Sequence, residues 1–373
     1  MATNAFPTVP KATYEDRLHR VQQALAERDV DWLFLGPSAD LFYLTGFDAH
    51  VSERLNLLMV PRTGEPSLVV PRLEAPNVGD AADLVRLVTW EDHESPIASV
   101  ATVVPNSIGA VGVGDHLYSA FLLRLQEALS AGAWVEAGPI MRTLRVTKDP
   151  IEIELLEIAG SLVDAAFEQF IETETLAGKT ERQALDRLIE LTMAQGTGPC
   201  WGICASGPNS AAPHYGTGNR VIQEGDAVTF DWGGPVGGYF SDITRTVHVG
   251  EPGDEFRKVY DIVREANQKT LEAVKPGVAC QHLDRVARKV ISDAGYGEAF
   301  LHRVGHGLGL EVHEEPYLVE GNDLPLEEGM VFSDEPGIYL EGRFGVRIED
   351  AVVCTADGGR RLNECTRDLV VMG

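Results

Sequence analysis

Ala227-Val228-Thr229-Phe230-Asp231, a glycine-rich loop, and Tyr239-Phe240-Ser241-Asp242-Ile243-Thr244-Arg245-Thr246-Val247 read as one strand–turn–strand unit. The design returns as Met330-Val331-Phe332-Ser333-Asp334-Glu335, then Pro336-Gly337 and a loop, then Gly345-Val346-Arg347-Ile348-Glu349-Asp350-Ala351. In each, an acid ends or follows one strand and a second acid lies in the next, 11 residues on in the first unit and 14 in the second. A hairpin brings such positions together across its ladder. Like charges held that close raise one another's pKa unless a cation neutralises them. Divalent ions are the usual partners of such carboxylates.

Between the two units lies His302-Arg303-Val304-Gly305-His306-Gly307-Leu308-Gly309-Leu310-Glu311-Val312-His313, which holds three of the chain's 10 histidines. Glycine on either side of His306 permits close backbone approach. One histidine with four carboxylates is an oxygen-rich set, better suited to two divalent ions than to one tetrahedral zinc. Either hairpin alone is most simply a solvated turn; the matched pair with histidines between them argues for a metal centre. Glu314, Glu315, Asp334 and Asp350 read as bland flanking charges, and Cys204, Cys280, Cys354 and Cys365 as thiols without a role.

Outward from this core, Val146-Thr147-Lys148-Asp149-Pro150 marks a boundary. Asp149 can cap a helix, and Pro150 suits its first turn. A long helix follows over Ile151 to Thr173, and another over about Glu181 to Ala194. Upstream, Tyr14 to Arg28 has Leu18, Val21 and Leu25 at helical spacing. Trp32-Leu33-Phe34-Leu35, Leu55 to Val60, Ser67 to Val70, Leu84 to Val88 and Gly109 to Val113 read as strands, with a helix at Ser119 to Leu129. Strands alternating with helices predict an α/β layer. Residues 1–145 are thus expected to form one domain and 146–373 a second.

The chain has 373 residues and a net charge of −26, and 44% of it is hydrophobic. Such an acidic surface disfavours nucleic acid and anionic membranes. No run reaches the roughly 18 apolar residues that a spanning helix needs; Ala98 to Gly114, the nearest, is broken by Pro105 and Asn106. Met1 to Pro10 lacks the pattern of a signal peptide. The 5 scattered cysteines include Cys200 and Cys204, whose spacing suits neither a redox pair nor a zinc knuckle, so a reduced, cytoplasmic chain is expected.

At these motifs the sequence resembles the pita-bread metallopeptidases of the Xaa-Pro branch, the Xaa-Pro dipeptidases (prolidases) and Xaa-Pro aminopeptidases. The likeness runs from about Lys148 to the C-terminus. The first half is similar to the creatinase-like cap domain, mainly through Phe42-Tyr43-Leu44-Thr45-Gly46. The resemblance implies an α/β cap domain, a mixed sheet with flanking helices, followed by an α+β pita-bread catalytic domain.

It further implies metal ligands at Asp231, Asp242, His306, Glu335 and Glu349, with Asp242 and Glu349 bridging two divalent ions per subunit. Manganese is expected first, and cobalt or zinc can occupy the same atoms. His214 and His313 correspond to histidines that contact substrate, and His302 to one on the proline side of the pocket. Tyr339 corresponds to a tyrosine linked to proton shuttling, and Arg347 to an arginine supporting the site. Glu335 is the residue expected to take the nucleophilic water's proton. The implied reaction is hydrolysis of the bond before proline in short peptides, by a homodimer.

Two departures stand out. Several prolidases carry an arginine shortly after the second histidine, where it grips the dipeptide carboxylate; Glu314 to Met330 contains no Lys or Arg. Arg54 in the first domain is the expected substitute, reaching across a dimer interface, with Arg303 and Arg343 as others. Asp334 stands before Glu335, where a neutral residue is common. The dipeptidase is the leading expectation, an Xaa-Pro aminopeptidase the second, and a non-catalytic peptide-binding module on the same fold the third. Creatinase lacks the ligand set, and methionine aminopeptidases usually lack the extra domain.

Overall fold

The computed structural model describes residues 6–105 and 107–373. The sequence reading at Met1 to Pro10 falls partly on residues 1–5, and the break at Asn106 on that residue; both lie outside the described residues. The chain divides into two compact units, Val9–Arg145 and a larger one made of residues 6–8 with Val146–Gly373.

The smaller unit is built on a six-stranded mixed sheet. Its strands are β1 (Trp32–Leu35), β2 (Leu57–Pro61), β3 (Ser67–Pro71), β4 (Arg86–Trp90), β5 (Ser107–Val113) and β6 (Ser130–Glu136), in the order β4-β3-β2-β1-β5-β6. β1 runs antiparallel to β2 and parallel to β5. Helices α1 (Lys11–Glu27), α2 (Ala39–Thr45), α3 (Pro96–Val103), α4 (Ser119–Ala128) and α5 (Gly138–Arg145) complete it. One apolar core joins Phe34, Met59, Val69, Val100, Val111 and Leu125. β6 and α2 escaped the sequence reading. β6 is mostly exposed, with small residues and no clean alternation. α2 is a single short element, capped by Ser38 at its start and by left-handed Gly46 at its end.

The larger unit contains two layers of similar make. Helix α6 (Pro150–Thr173) begins with a reciprocal capping box in which Asp149 and Glu152 each accept the other's backbone N–H at 3.0 Å. Helix α7 (Glu181–Gln195) starts with the equivalent pair Thr180 and Gln183 and ends at Gly196. Both pack on a four-stranded sheet, β19-β11-β8-β7, of β7 (Trp201–Ser206), β8 (Ala227–Gly233), β11 (Ile243–Val249) and β19 (Val371–Met372). Phe167, Phe170, Leu188, Phe230, Trp232 and Val247 fill that interface. Short strands β9 (Pro235–Val236) and β10 (Tyr239–Phe240) form the turn between β8 and β11.

The second layer pairs α8 (Asp254–Ala273) and α9 (Cys280–Asp293) with a five-stranded sheet, β13-β12-β14-β17-β18. Its strands are β12 (Gly305–Gly307), β13 (Glu314–Leu318), β14 (Val331–Asp334), β17 (Asp350–Thr355) and β18 (Gly358–Arg361). Val259, Val263, Leu283, Ile291, Phe332 and Val352 pack between them. The two sheets meet where Thr244 bridges Glu349, whose N–H donates to the Thr244 carbonyl at 3.0 Å. The acids of both strand pairs therefore gather at one seam.

The second strand pair differs from the sequence reading. β14 does not pair with the strand after its loop. It pairs with β17, in register Asp334↔Asp350, while β15 (Gly337–Leu340) and β16 (Phe344–Arg347) form a hairpin inserted between them. Glu335 and Glu349 are brought together because each adjoins an end of the β14–β17 ladder. Among the described residues no helix is long and apolar enough to cross a membrane.

Candidate metal centre

A cleft of about 450 Å³ opens over the seam and is lined by Asp231, Asp242, His306, Glu335 and Glu349. His214, His302, His313 and Arg347 share its wall. Tyr339 is buried one layer behind and reaches the cleft through His302 and Arg347. Arg54 belongs to the other unit, where its guanidinium makes a two-point bond to Asp92 at 2.9 and 3.0 Å and another to Glu53 at 2.8 Å.

Three of the acidic and imidazole groups form a tight knot: Asp242, His306 and Glu349 each present an atom within 4.8 Å of the others. The His306 ring lies beside the His313 ring, centroids 4.1 Å apart. His306 Nδ1 faces the Gly307 carbonyl at 3.1 Å, so this nitrogen carries the proton. Nε2 is left with its lone pair, yet it faces Asp242 Oδ2 at 3.6 Å and Glu335 Oε1 at 3.3 Å. Acceptors aimed at acceptors repel unless a proton or a cation stands among them.

The carboxylates show the same shortage of positive charge. Asp231 Oδ2 accepts from Arg347 at 2.7 Å and Glu349 Oε2 from Thr244 at 2.6 Å. Asp231 Oδ1 and Asp242 Oδ1 are buried without a hydrogen-bond partner among the described residues. Burial, reinforced by the neighbouring acids, pushes Asp242 and Glu349 well above the carboxylate range. Burial likewise pushes Glu335 up to about 7, against the opposing pull of Arg347. Hard oxygen donors, one fixed imidazole tautomer and orphaned lone pairs fit divalent cations.

Around this knot runs a directed hydrogen-bond chain. His302 Nδ1 donates to the Arg303 carbonyl at 2.7 Å, so its Nε2 accepts from the Tyr339 hydroxyl at 2.8 Å. Arg347 Nη1 donates to that hydroxyl oxygen at 2.9 Å. Burial drives the His302 imidazole down to about 3 and the Tyr339 phenol up to about 12. Both stay neutral, and the tyrosine proton points at His302.

Several residues that support this centre had no legible signal. Asp350, read as bland, is fully buried and accepts from Arg245 at 2.7 Å, Arg361 at 3.0 Å and Arg367 at 2.7 Å. Burial opposes its ionisation, but Arg245 and Arg367 outweigh that and hold it at about 2. Asp334 is also fully buried, with neither carboxylate oxygen hydrogen-bonded among the described residues. Glu314 is paired with buried Lys148 at 2.9 Å, tying the start of the domain to the residue after His313. Glu181 collects the Ser206 N–H and hydroxyl and the Asn209 amide at 2.8 to 2.9 Å, fixing the turn that leads to His214. All five cysteines are free, and burial pushes Cys204, Cys280, Cys354 and Cys365 up, so these are inert core thiols.

Two helix-backed sheets with acids gathered at their seam define a pita-bread metallopeptidase, and sequence comparison agrees. Residues 154–356 match metallopeptidase family M24, and residues 17–147 match the creatinase/prolidase N-terminal domain. The chain belongs to family M24. It is 40% identical to the probable dipeptidase PepE of Mycobacterium tuberculosis over 96% of both chains. It is 35% identical to the Xaa-Pro dipeptidase of Lactobacillus helveticus, over 95% of this chain and 98% of that one. The crystal structure of a prolidase from Thermococcus sibiricus superposes with a TM-score of 0.90 at 37% identity, covering 96% of this chain and 99% of that one.

Proposed function

We propose that this metallopeptidase is an Xaa-Pro dipeptidase, a cytoplasmic homodimer acting on short proline-containing peptides with two divalent ions per subunit, manganese first. The observation that carries the reading is the convergence of His306 Nε2 with the Asp242 and Glu335 oxygens, at 3.6 and 3.3 Å. Asp231, Asp242, His306, Glu335 and Glu349 would hold the ions. When bound, such ions supply Lewis acidity and bring the pKa of water towards neutrality.

The chain's own groups then divide the remaining work. Glu335, which lines the cleft, takes the proton of the attacking water and passes it towards the leaving nitrogen. His214 and His313, exposed on the cleft wall, donate to the developing oxyanion. Tyr339 keeps its proton directed at His302, which fixes that imidazole on the proline side. A proline nitrogen has no N–H before cleavage, so the pocket needs a wall and not an acceptor there; Trp201, Ile203 and Val319 offer apolar surface in the same cleft. The five free thiols fit a reducing compartment. The dimer rests on family likeness.

The absence of Lys or Arg from Glu314 to Met330 favours a second reading, an Xaa-Pro aminopeptidase. Elemental analysis, with hydrolysis of an Xaa-Pro dipeptide compared against an Xaa-Pro-Yaa tripeptide, tests both. Two equivalents of divalent metal and strong preference for the dipeptide are expected. Efficient tripeptide cleavage refutes the dipeptidase, and a metal-free, inactive protein refutes both readings.

A further inference from the structure

An Xaa-Pro dipeptide carries its free carboxylate only one carbon from the scissile nitrogen. That anion must therefore settle beside four acids in a protein of net charge −26. Some cation has to receive it, and besides any bound ions the cleft's described side chains offer two, Arg347 and Arg303. Arg347 is committed to Asp231, Thr244 and Tyr339 at 2.7 to 3.0 Å. Arg303 is not: it lines the same cleft half-buried, and among the described residues its guanidinium meets no carboxylate.

What holds Arg303 is an aromatic face. Its guanidinium lies over the Tyr317 ring, 4.3 Å from the centroid. Such stacking fixes the plane of the fork while leaving its N–H edge free to grip a carboxylate at two points. Tyr317 is itself registered: it pairs with His306 in the β12–β13 ladder, one residue before the bulge. The backbone carbonyl of Arg303 is pinned by His302 Nδ1. The cation is thus referenced to the metal knot through Tyr317 and to the proline-side wall through His302. Its charge is felt by His306, His313 and Glu335 alike. Arg343, by contrast, is exposed and paired with Glu255.

We infer that Arg303, stacked on Tyr317, is the anchor for the free carboxylate of the dipeptide and sets the preference for dipeptides over longer chains. This rests on the Xaa-Pro reading above. The test uses the metal-loaded full-length protein and three probes: Ala-Pro, its C-terminal amide, and an Ala-Pro-Yaa tripeptide. Arg303→Ala is expected to raise KM for Ala-Pro roughly 10- to 100-fold, as loss of a charge-assisted bond does, with a smaller change in kcat. The dipeptide-to-amide preference should fall at least about tenfold, with partial recovery in Arg303→Lys. Tyr317→Leu should give an intermediate loss. Equal losses on dipeptide and amide would mean that Arg303 only shapes the wall, and the anchor is overturned. The anchor is equally overturned if Arg54→Ala carries the selective loss instead. A wild-type enzyme that cleaves none of the three probes removes the Xaa-Pro reading itself, and the anchor with it.

Discussion

Glu349 and Asp350 are neighbours in sequence and equally buried, yet their carboxyls are driven in opposite directions. Glu349 faces the cleft among other acids and is pushed well above the carboxylate range by burial. Asp350 faces the opposite way, into three arginines, and is held at about 2. Alternation along a strand sends adjacent side chains to opposite faces, so one ladder serves two electrostatic regions. Behind the cleft, the burial of charge is met by cations the sequence encodes. Within it, four acids face Arg347 and, on the wall, Arg303, and the balance has to come from outside the chain. A buried acid cluster with too few cations of its own marks a centre built for exchangeable ions; one fully matched by cations marks structure.

The comparison is broken most directly by removing an acid from each region. Glu335→Ala or Asp242→Ala should abolish Xaa-Pro hydrolysis while the apo fold keeps or gains stability, because each deletion relieves repulsion. Activity and chemical denaturation on the same samples check this. Near-normal turnover in either variant with metal loaded would remove the ligand assignment. Asp350→Asn should do the reverse to stability. It strands three guanidinium groups, and breaking a buried charge network from one side costs about 3–5 kcal/mol. A denaturant midpoint unchanged by Asp350→Asn would deny that the rear cluster is a self-contained network.

How far the sequence could be read follows the same division. The cleft acids were legible because metal chemistry demands particular residue types near turns, and such patterns survive in one dimension. Asp350, Arg245 and Arg361 were not, since their partners lie up to 121 positions away and nothing local distinguishes a buried Asp350 from a solvated one; Asp334 was not either, its carboxylate being buried without a hydrogen-bond partner among the described residues. Glu181 is hidden likewise: it sits at the start of α7, where an acid is expected to satisfy the helix terminus, yet it serves the turn before His214. The first acid pair was read correctly as a hairpin, β8 on β11. The second was misjudged because the inserted β15–β16 hairpin has the same glycine-and-strand texture as a simple turn. Pairing partners depend on which ladder the core selects, and the pattern of residues does not carry that choice.

The smallest effect, and the one that sharpens the contrast without changing a residue, is the pH dependence of stability with and without metal. In the apo protein Glu335 sits at about 7 against an ordinary 4.5, with Asp242 and Glu349 also raised. A carboxyl raised on folding means that the native state binds more protons than the unfolded chain across that interval. The stability it contributes is complete below the ordinary value and is lost as pH climbs towards 7. Chelated protein should therefore lose Tm steadily from about pH 4.5 to 7. Metal ligation requires ionised carboxylates, so the loaded protein should hold or gain Tm over the same interval. Asp350 runs the other way: held at about 2 against an ordinary 3.8, it contributes stability above the ordinary value and loses it as pH falls towards 2. That acid limb should be common to both preparations. Scanning calorimetry on chelated and manganese-loaded samples separates the two limbs. If the neutral-side slopes coincide, the cleft acids are not the source of the difference, and the division between an externally and an internally neutralised cluster fails.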